Sequence, residues 1–424
     1  MLDYMQQWPK LSKDTIRTIV FNALEENVNF YEENILGIPG SHLDNKVFYQ
    51  DAPFLKDAPY LTALIHNPNH IGCHTLEKSE SFFKGTHQLE RELIALCAEQ
   101  ILQAEAESCD GYVAAGGTEA NLQAIWIYRN YFRNRYGVSN DSICILCSRD
   151  SHYSMSKAAN VFNLDIAFVQ VEDDTRSLNE EHLQQVIQEK KTQGKNHFIV
   201  VANMMTTMFG SVDNVDTYTA ALEAHGCLFR MHVDAAFGGF LYPFTNPDNT
   251  LNFRNKHITS VTLDAHKMVQ APYGTGIFLI RKGFMQHANT KEASYVEGED
   301  YTLIGSRSGA NAIAVWMILM TYGRYGWEEK TTTLLNRAAW LTHELDKAGI
   351  AYYRDPFSNI ITIRSGFLNK EIATRYGLVP DNHQQPNWYK VVVMDHVTID
   401  RLLPLLQELQ AYQEQNCLLE REQV

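Results

Sequence analysis

A chain of 424 residues, 45% hydrophobic and 20% charged, is long enough to bury a sizeable core and too apolar to be disordered. Its formal net charge of −14 argues against a protein whose main task is gripping nucleic acid, which needs clustered Lys and Arg, yet leaves room for a local pocket that holds one small phosphate. Apolar runs fall short of membrane-spanning length, the start "MLDYMQQWPKLSKD" lacks the order of a signal peptide, and the seven cysteines have no framework spacing, so a cytoplasmic, reducing location is expected.

In chain order, residues 1–60 carry helix patterns broken by "NILGIPGSHLDN" and read as an N-terminal arm. Next, in "HNPNHIGCHTLEKSE", His66, His70, Cys73 and His74 have ligand-like spacing for a transition metal, but Pro68 interrupts any helix between the first two histidines. The other reading of this stretch is a pocket rim at which His70 touches substrate.

From residue 88 to 305 helix and strand alternate. "HQLERELIALCAEQILQAEA" and "TEANLQAIWIYRNYFRNRYG" have helical spacing, while "SICILCS", "IAFVQVE", "NHFIVVANMM", "CLFRMHVDAA", "ITSVTLDAH" and "TGIFLIRK" read as strands. Continuous apolar strands separated by helices predict an α/β large domain over 61–305, with a mostly parallel sheet covered on both faces. Cys144 and Cys147 fall inside the "SICILCS" strand, which argues against a redox or zinc pair. Over 306–424, "NAIAVWMILMTYG" and "TTLLNRAAWLTHELDKAGI" read as helices, and "NIITIRSG" and "WYKVVVMDHVT" as strands of a small C-terminal α/β domain.

Ligands of such sheets sit at the carboxyl ends of the strands, and four stretches fall there. In "AAGGTEAN", Gly116 and Gly117 let backbone N–H groups approach an anion and Thr118 adds a hydroxyl at a helix N-terminus; this is either a phosphate cradle or a simple helix cap. His152 in "SRDSHYSMSKAANVF" is placed to lie on an aromatic ligand, or is an ordinary polar residue at a helix start. Asp234 in "HVDAAFGGF" follows an apolar strand, with Ala235, Ala236, Gly238 and Gly239 leaving space beside it; the carboxylate suits a protonated ring nitrogen, a cap or an internal ion pair. Lys267 in "VTLDAHKMVQAPYGTGIFLI" sits among apolar neighbours, where a lysine loses some proton affinity and becomes a usable amine nucleophile. A phosphate cradle, a ring-stacking imidazole, a carboxylate and a reactive lysine are together what pyridoxal 5'-phosphate needs from a protein.

With "FFKGTHQLERELI", "GGTEANL", "DSHYSMSKAA", "HVDAAFGGF", "DAHKM", "GSRSG" and "VVVMDHVT", the chain resembles the group II pyridoxal-phosphate-dependent amino acid decarboxylases of fold type I, nearest the short tyrosine/aspartate branch, over most of residues 60 to 400. The resemblance implies that Lys267 carries the cofactor as a Schiff base, Asp234 pairs with its ring nitrogen, and His152 stacks on the ring and assists protonation. Gly116, Gly117 and Thr118 bind phosphate, Thr207 (or Thr206) and Ala236 lie near the cofactor, and His266 touches the phosphate. Ser306 reaches the phosphate of a neighbouring subunit, which implies a homodimer with a shared site. Tyr295, in the loop "SYVEGEDY", protonates product, and His70 and Arg307 are the substrate contacts. The implied reaction is decarboxylation of an L-amino acid to its amine. Its rivals are transamination, with Arg354 or Arg364 gripping the α-carboxylate, Cα–Cβ cleavage on the same fold, and, remotely, a metal-dependent hydrolase built on His66, His70 and His74. The "HP.F" segment of the longer aromatic decarboxylases is replaced here by "HNPNHIGCHTLEKSE", which leaves the substrate open.

Overall fold

The main strands of this chain are largely apolar because helices cover both faces of the sheet they form, and the few polar residues in them, such as His232, Ser260 and Thr262, are buried. The computed structural model describes residues 7–27, 51–76, 79–290 and 299–422. Its first part comprises α1 (Lys13–Glu25), α2 (Pro59–His66), β1 (Asn69–Ile71), α3 (Lys84–Ala95), β2 (Cys109–Ala114), α4 (Gly117–Tyr136), β3 (Ile143–Ser148), α5 (Ser154–Phe162), β4 (Asp165–Val169), α6 (Glu180–Thr192), β5 (His197–Asn203), α7 (Val215–Ala224), β6 (Leu228–Ala235), α8 (Tyr242–Thr245), β7 (Ile258–Asp264) and β8 (Gly276–Arg281). There follow β9 (Ser306–Ser308), α9 (Gly309–Lys347), β10 (Tyr352–Tyr353), β11 (Ile360–Arg364), α10 (Lys370–Arg375), β12 (Val379–Pro380), β13 (Trp388–Val392) and α11 (Ile399–Glu422).

Seven strands form the main sheet in the order β2-β8-β7-β6-β5-β3-β4. β8 runs antiparallel to both of its neighbours, and the other pairs are parallel. Alternate residues feed two separate cores: Leu146, Val200, Val233 and Leu263 pack on one face, and Ile145, Ile199, Val201 and Phe278 pack with α4 and α5 on the other. Six of these strands are legible as apolar runs in the sequence. The edge strand β2 is not, because Asp110 and Gly111 interrupt it; a Cβ on Gly111 would stand 2.4 Å from the Phe278 carbonyl oxygen, so only glycine fits there.

The two helices expected beyond residue 310 are present as the two halves of α9, which divides at Gly323, where the backbone is not helical. There φ is +64°, and a Cβ would meet the Lys10 backbone at 2.7 Å, so the break is where the N-terminal segment crosses the helix. A four-stranded antiparallel sheet, β10-β11-β13-β12, packs Ile361 and Ile363 against Leu405 and Leu409 of α11. β1 and β9 form a separate two-stranded ribbon that sets His70 opposite Arg307. Among the described residues no helix is long and apolar enough to cross a membrane.

The turn between β2 and α4 rests directly on β8, where a Cβ on Gly276 would lie 2.5–2.8 Å from backbone atoms of Gly116. Gly276→Ala is expected to destabilise the protein by about 1–3 kcal/mol, as overpacking does, and to displace the turn. Thermal melts and phosphate-dependent binding of pyridoxal phosphate check both effects; an unchanged melt would show that the turn is not held by this contact.

Candidate active site

Parallel pairing brings the carboxyl ends of β5, β6 and β7 to one level, with Asn203 beside Asp234 and Asp234 beside Thr262. Over these ends lies a cavity of about 570 Å³. Gly116, Gly117 and Thr118 enter it from the start of α4, and His152 and Thr207 from the loops after β3 and β5. Asp234 and Ala236 follow β6, and His266 and Lys267 follow β7. Nine residues singled out from sequence therefore line one cavity, together with Thr206.

Asp264, the last residue of β7, organises its floor. Its Oδ2 lies 3.2 Å from Lys267 Nζ and 3.5 Å from His266 Nε2, and would lie 2.8 Å from a Cβ placed on Gly117. Burial pushes the Asp264 carboxyl up, against the opposing pull of the Lys267 and His266 charges. Asp234 is buried; its Oδ1 accepts from the Ala236 N–H (3.1 Å) and its Oδ2 from Asn121 Nδ2 (2.9 Å). His152 Nδ1 accepts from the Ser154 N–H (3.3 Å) and pairs with its hydroxyl (2.9 Å), which leaves the proton on Nε2. Burial lowers the His152 pKa, with Asp234 opposing, so the ring is neutral at pH 7.

Other expectations are redistributed. His70 and Arg307 do not line the cavity, because a buried charge needs a partner and Glu90 supplies it. Arg307 Nη1 donates to Glu90 Oε1 (2.7 Å) and to the Val113 carbonyl (2.9 Å), while His70 Nδ1 bonds Glu90 Oε2 (2.6 Å) and its Nε2 bonds Thr86 Oγ1 (2.9 Å). Burial pushes the Glu90 carboxyl up, but Arg307 and His70 outweigh it and hold it well below the usual range. Ser306 is exposed on β9, bonded to Asn69 Nδ2 (3.2 Å) and outside this cavity. Tyr295 lies outside the described residues.

The metal set His66, His70 and His74 does not assemble. His66 ends α2, and among the described residues His70 and His74 share a 4.8 Å cluster with Glu90 instead, whose charge Arg307 already neutralises. Neither arginine considered for a carboxylate grip faces the cavity. Arg354 donates to the Ser358 and Pro356 carbonyls, and Arg364 pairs with Asp173 and Asp174 while stacking on Trp388.

Sequence reading missed Asn121, Asp264 and Lys390. Lys390 reaches from β13 to donate to the Thr207 carbonyl (2.7 Å), and its pKa is lowered by burial and then by the nearby Lys267 charge. A lysine inside an otherwise apolar strand was the available signal; only the fold brings it to Thr207, which lines the cavity. With the N–H groups at the start of α4, the paired Lys267, the anchored Asp234 and an unpartnered, buried Asp264 Oδ1, the donor set fits pyridoxal phosphate.

Residues 86–352 match the pyridoxal-dependent decarboxylase conserved domain. Tryptophan decarboxylase of Clostridium sporogenes is 46% identical over 413 residues, 97% of this chain and 99% of that protein. L-aspartate decarboxylase of Thermococcus kodakarensis is 30% identical over 77% of this chain and 82% of its own. L-methionine decarboxylase from Streptomyces sp. 590 superposes with a TM-score of 0.69 at 19% identity, covering 94% of this chain and 93% of that one, and shares the fold.

Asn203, which lines the cavity, is held by Asp213, whose Oδ2 accepts from the Asn203 N–H (2.9 Å) and Nδ2 (2.7 Å). Burial pushes the Asp213 carboxyl up from 3.8 to about 7. A raised folded-state value means that the folded state favours the proton, so this contribution to stability is full below about 4 and is lost as pH rises through about 7. Asp213→Asn keeps an oxygen for both donors and is expected to gain on the order of 2–4 kcal/mol over the wild type between pH 5 and 8. Denaturant melts at the two pH values measure it; parallel shifts of both proteins would contradict it.

Proposed function

The chain belongs to the pyridoxal-dependent decarboxylase family and is a pyridoxal-phosphate-dependent amino acid decarboxylase; from that premise we propose that its substrate is an aromatic L-amino acid, tryptophan first. The observation that carries this reading is the cavity wall. Leu122, Phe237, Leu303 and Ile304 line it, and no arginine does among the described residues, so an indole finds apolar contact while a side-chain carboxylate finds no guanidinium. Similarity to a tryptophan decarboxylase over nearly the whole chain supports the same choice.

Pyridoxal phosphate supplies, when bound, the electron sink for the pair left at Cα as carbon dioxide departs. Lys267 provides the amine that holds it, and Asp264 keeps that amine close to the floor. Gly116, Gly117 and Thr118 hold the phosphate at the N-terminus of α4. Asp234, fixed through both oxygens, keeps a proton at the ring nitrogen. His152, neutral and with Nδ1 engaged by Ser154, presents its Nε2–H to the cavity as a hydrogen-bond donor that orients the reacting groups. Transamination would need a firm grip on the α-carboxylate, and the arginines considered for that role are engaged elsewhere. We further propose a homodimer: Tyr273, 88% exposed beside His266, and the outward Ser306 suit a surface that a second copy covers.

With a panel of L-amino acids, kcat/KM for tryptophan is expected to exceed that for aspartate by at least 10²-fold, an unmatched buried charge being strongly rejected; preference for aspartate would overturn the substrate. Lys267→Ala should abolish amine formation. Asp234→Ala should reduce kcat on the order of 10²–10³-fold, the loss typical of removing one preorganised electrostatic partner, and a rate near that of the wild type would remove its role.

A further inference from the structure

A chain of buried hydrogen bonds runs under the cavity floor and ends on Asp234 and His152. Asn121 stands one turn into α4 and is 1% exposed. Its Nδ2 donates to Asp234 Oδ2 (2.9 Å) and to Ser154 Oγ (3.0 Å). Its Oδ1 meets His232 Nε2 at 2.9 Å. His232, on β6 two residues before Asp234, is fully buried, and its Nδ1 lies 2.7 Å from Ser260 Oγ, which also bonds the Tyr128 hydroxyl. Thr262 Oγ1 lies 3.1 Å from the same Nε2.

The direction of every bond follows from one end. The Asp234 carboxylate only accepts, so the Asn121 amide turns its NH₂ toward it and its oxygen toward His232. That oxygen also only accepts, so His232 carries its proton on Nε2. Burial lowers the His232 pKa to about 4, so the ring is neutral at pH 7 and its bare Nδ1 accepts from Ser260. On the other arm, Ser154 Oγ accepts from Asn121 and therefore gives its own proton to His152 Nδ1, which leaves Nε2–H facing the cavity. Flipping the Asn121 amide would place its oxygen against Asp234 and against Ser154, and would leave His232 Nε2–H facing an NH₂ group. Only one arrangement satisfies all members, and a buried network of this kind is costly to break at any member.

We propose that Asn121, locked by His232, is a positioning residue that orients the Asp234 carboxylate and turns the Ser154 hydroxyl proton to His152 Nδ1, backing the tautomer that the Ser154 N–H selects. This rests on the assignment of Asp234 and His152 given above. One amide thereby connects the carboxylate at the ring nitrogen to the imidazole that faces the cavity.

The test uses holoenzyme loaded with pyridoxal phosphate carrying ¹⁵N in its ring. In the wild type the ring nitrogen should give the resonance of a protonated pyridine at pH 7. Asn121→Leu should move it toward the unprotonated position and lower kcat on the order of 10–100-fold, the range found for supporting partners of site ligands, with KM changed far less. His232→Phe should do the same, whereas His232→Gln, whose amide N–H can serve the same oxygen, should restore the signal; this pair decides the matter if Asn121→Leu does not fold. Ser154→Ala should leave the ring-nitrogen signal in place and shift the pH profile of kcat instead. An unchanged resonance in Asn121→Leu and His232→Phe would overturn the proposal, even where kcat falls, since Asn121 would then be merely structural. Absence of a borohydride-trapped adduct on Lys267 in the wild type would instead overturn the functional reading itself.

Discussion

A buried carboxylate at the end of a parallel strand is the constraint around which this site is built. Asp234 cannot be left without donors in that position, and it finds them in the Ala236 N–H and the Asn121 amide. Those donors exist only because β6 ends level with β5 and β7 and because α4 starts above them. The register that satisfies Asp234 also sets Lys267 against Asp264 and brings Gly117 within contact of both Asp264 and Ala236. Sheet geometry, the anion cradle and the reactive amine are consequently one arrangement.

Charge is handled differently at the periphery. Glu90, Arg307, His70 and Thr86 form a closed, buried cluster that ties the β1–β9 ribbon to α3 and β2. Removing one partner there would strand a charge in the core, which is far more damaging than losing a surface pair. The cluster is thus a reason for the ribbon, and for the position of Ser306 at its edge, to be rigid. At the junction with the small sheet, Arg364 bridges to Asp173 and Asp174, and Lys390 crosses to the Thr207 carbonyl, so the small sheet is tied to a loop that lines the cavity.

The sequence made the centre of the site legible because its groups sit in short motifs just after the strand ends, where a charged or polar residue follows an apolar run. Lys267, Asp234 and His152 are recognisable on that basis, and the apolar runs that carry them read as strands without help from context. What stayed hidden depends on long-range pairing. β2 is disguised by Asp110 and Gly111; Arg307 and His70 look like cavity residues until Glu90, far away in sequence, is brought beside them. Asn121 reads as one more polar residue on a helix, and its part emerges only when His232, Ser154 and Asp234 converge on its amide. Periodicity reports which face a residue occupies, but not which partner it meets there.

The most direct test of the account is turnover of L-tryptophan in deuterium oxide, with the products followed by mass spectrometry and NMR. The account predicts tryptamine carrying one deuterium at Cα, released together with an equal amount of carbon dioxide. A keto acid in place of the amine, or no product from protein that holds pyridoxal phosphate on Lys267, would contradict it.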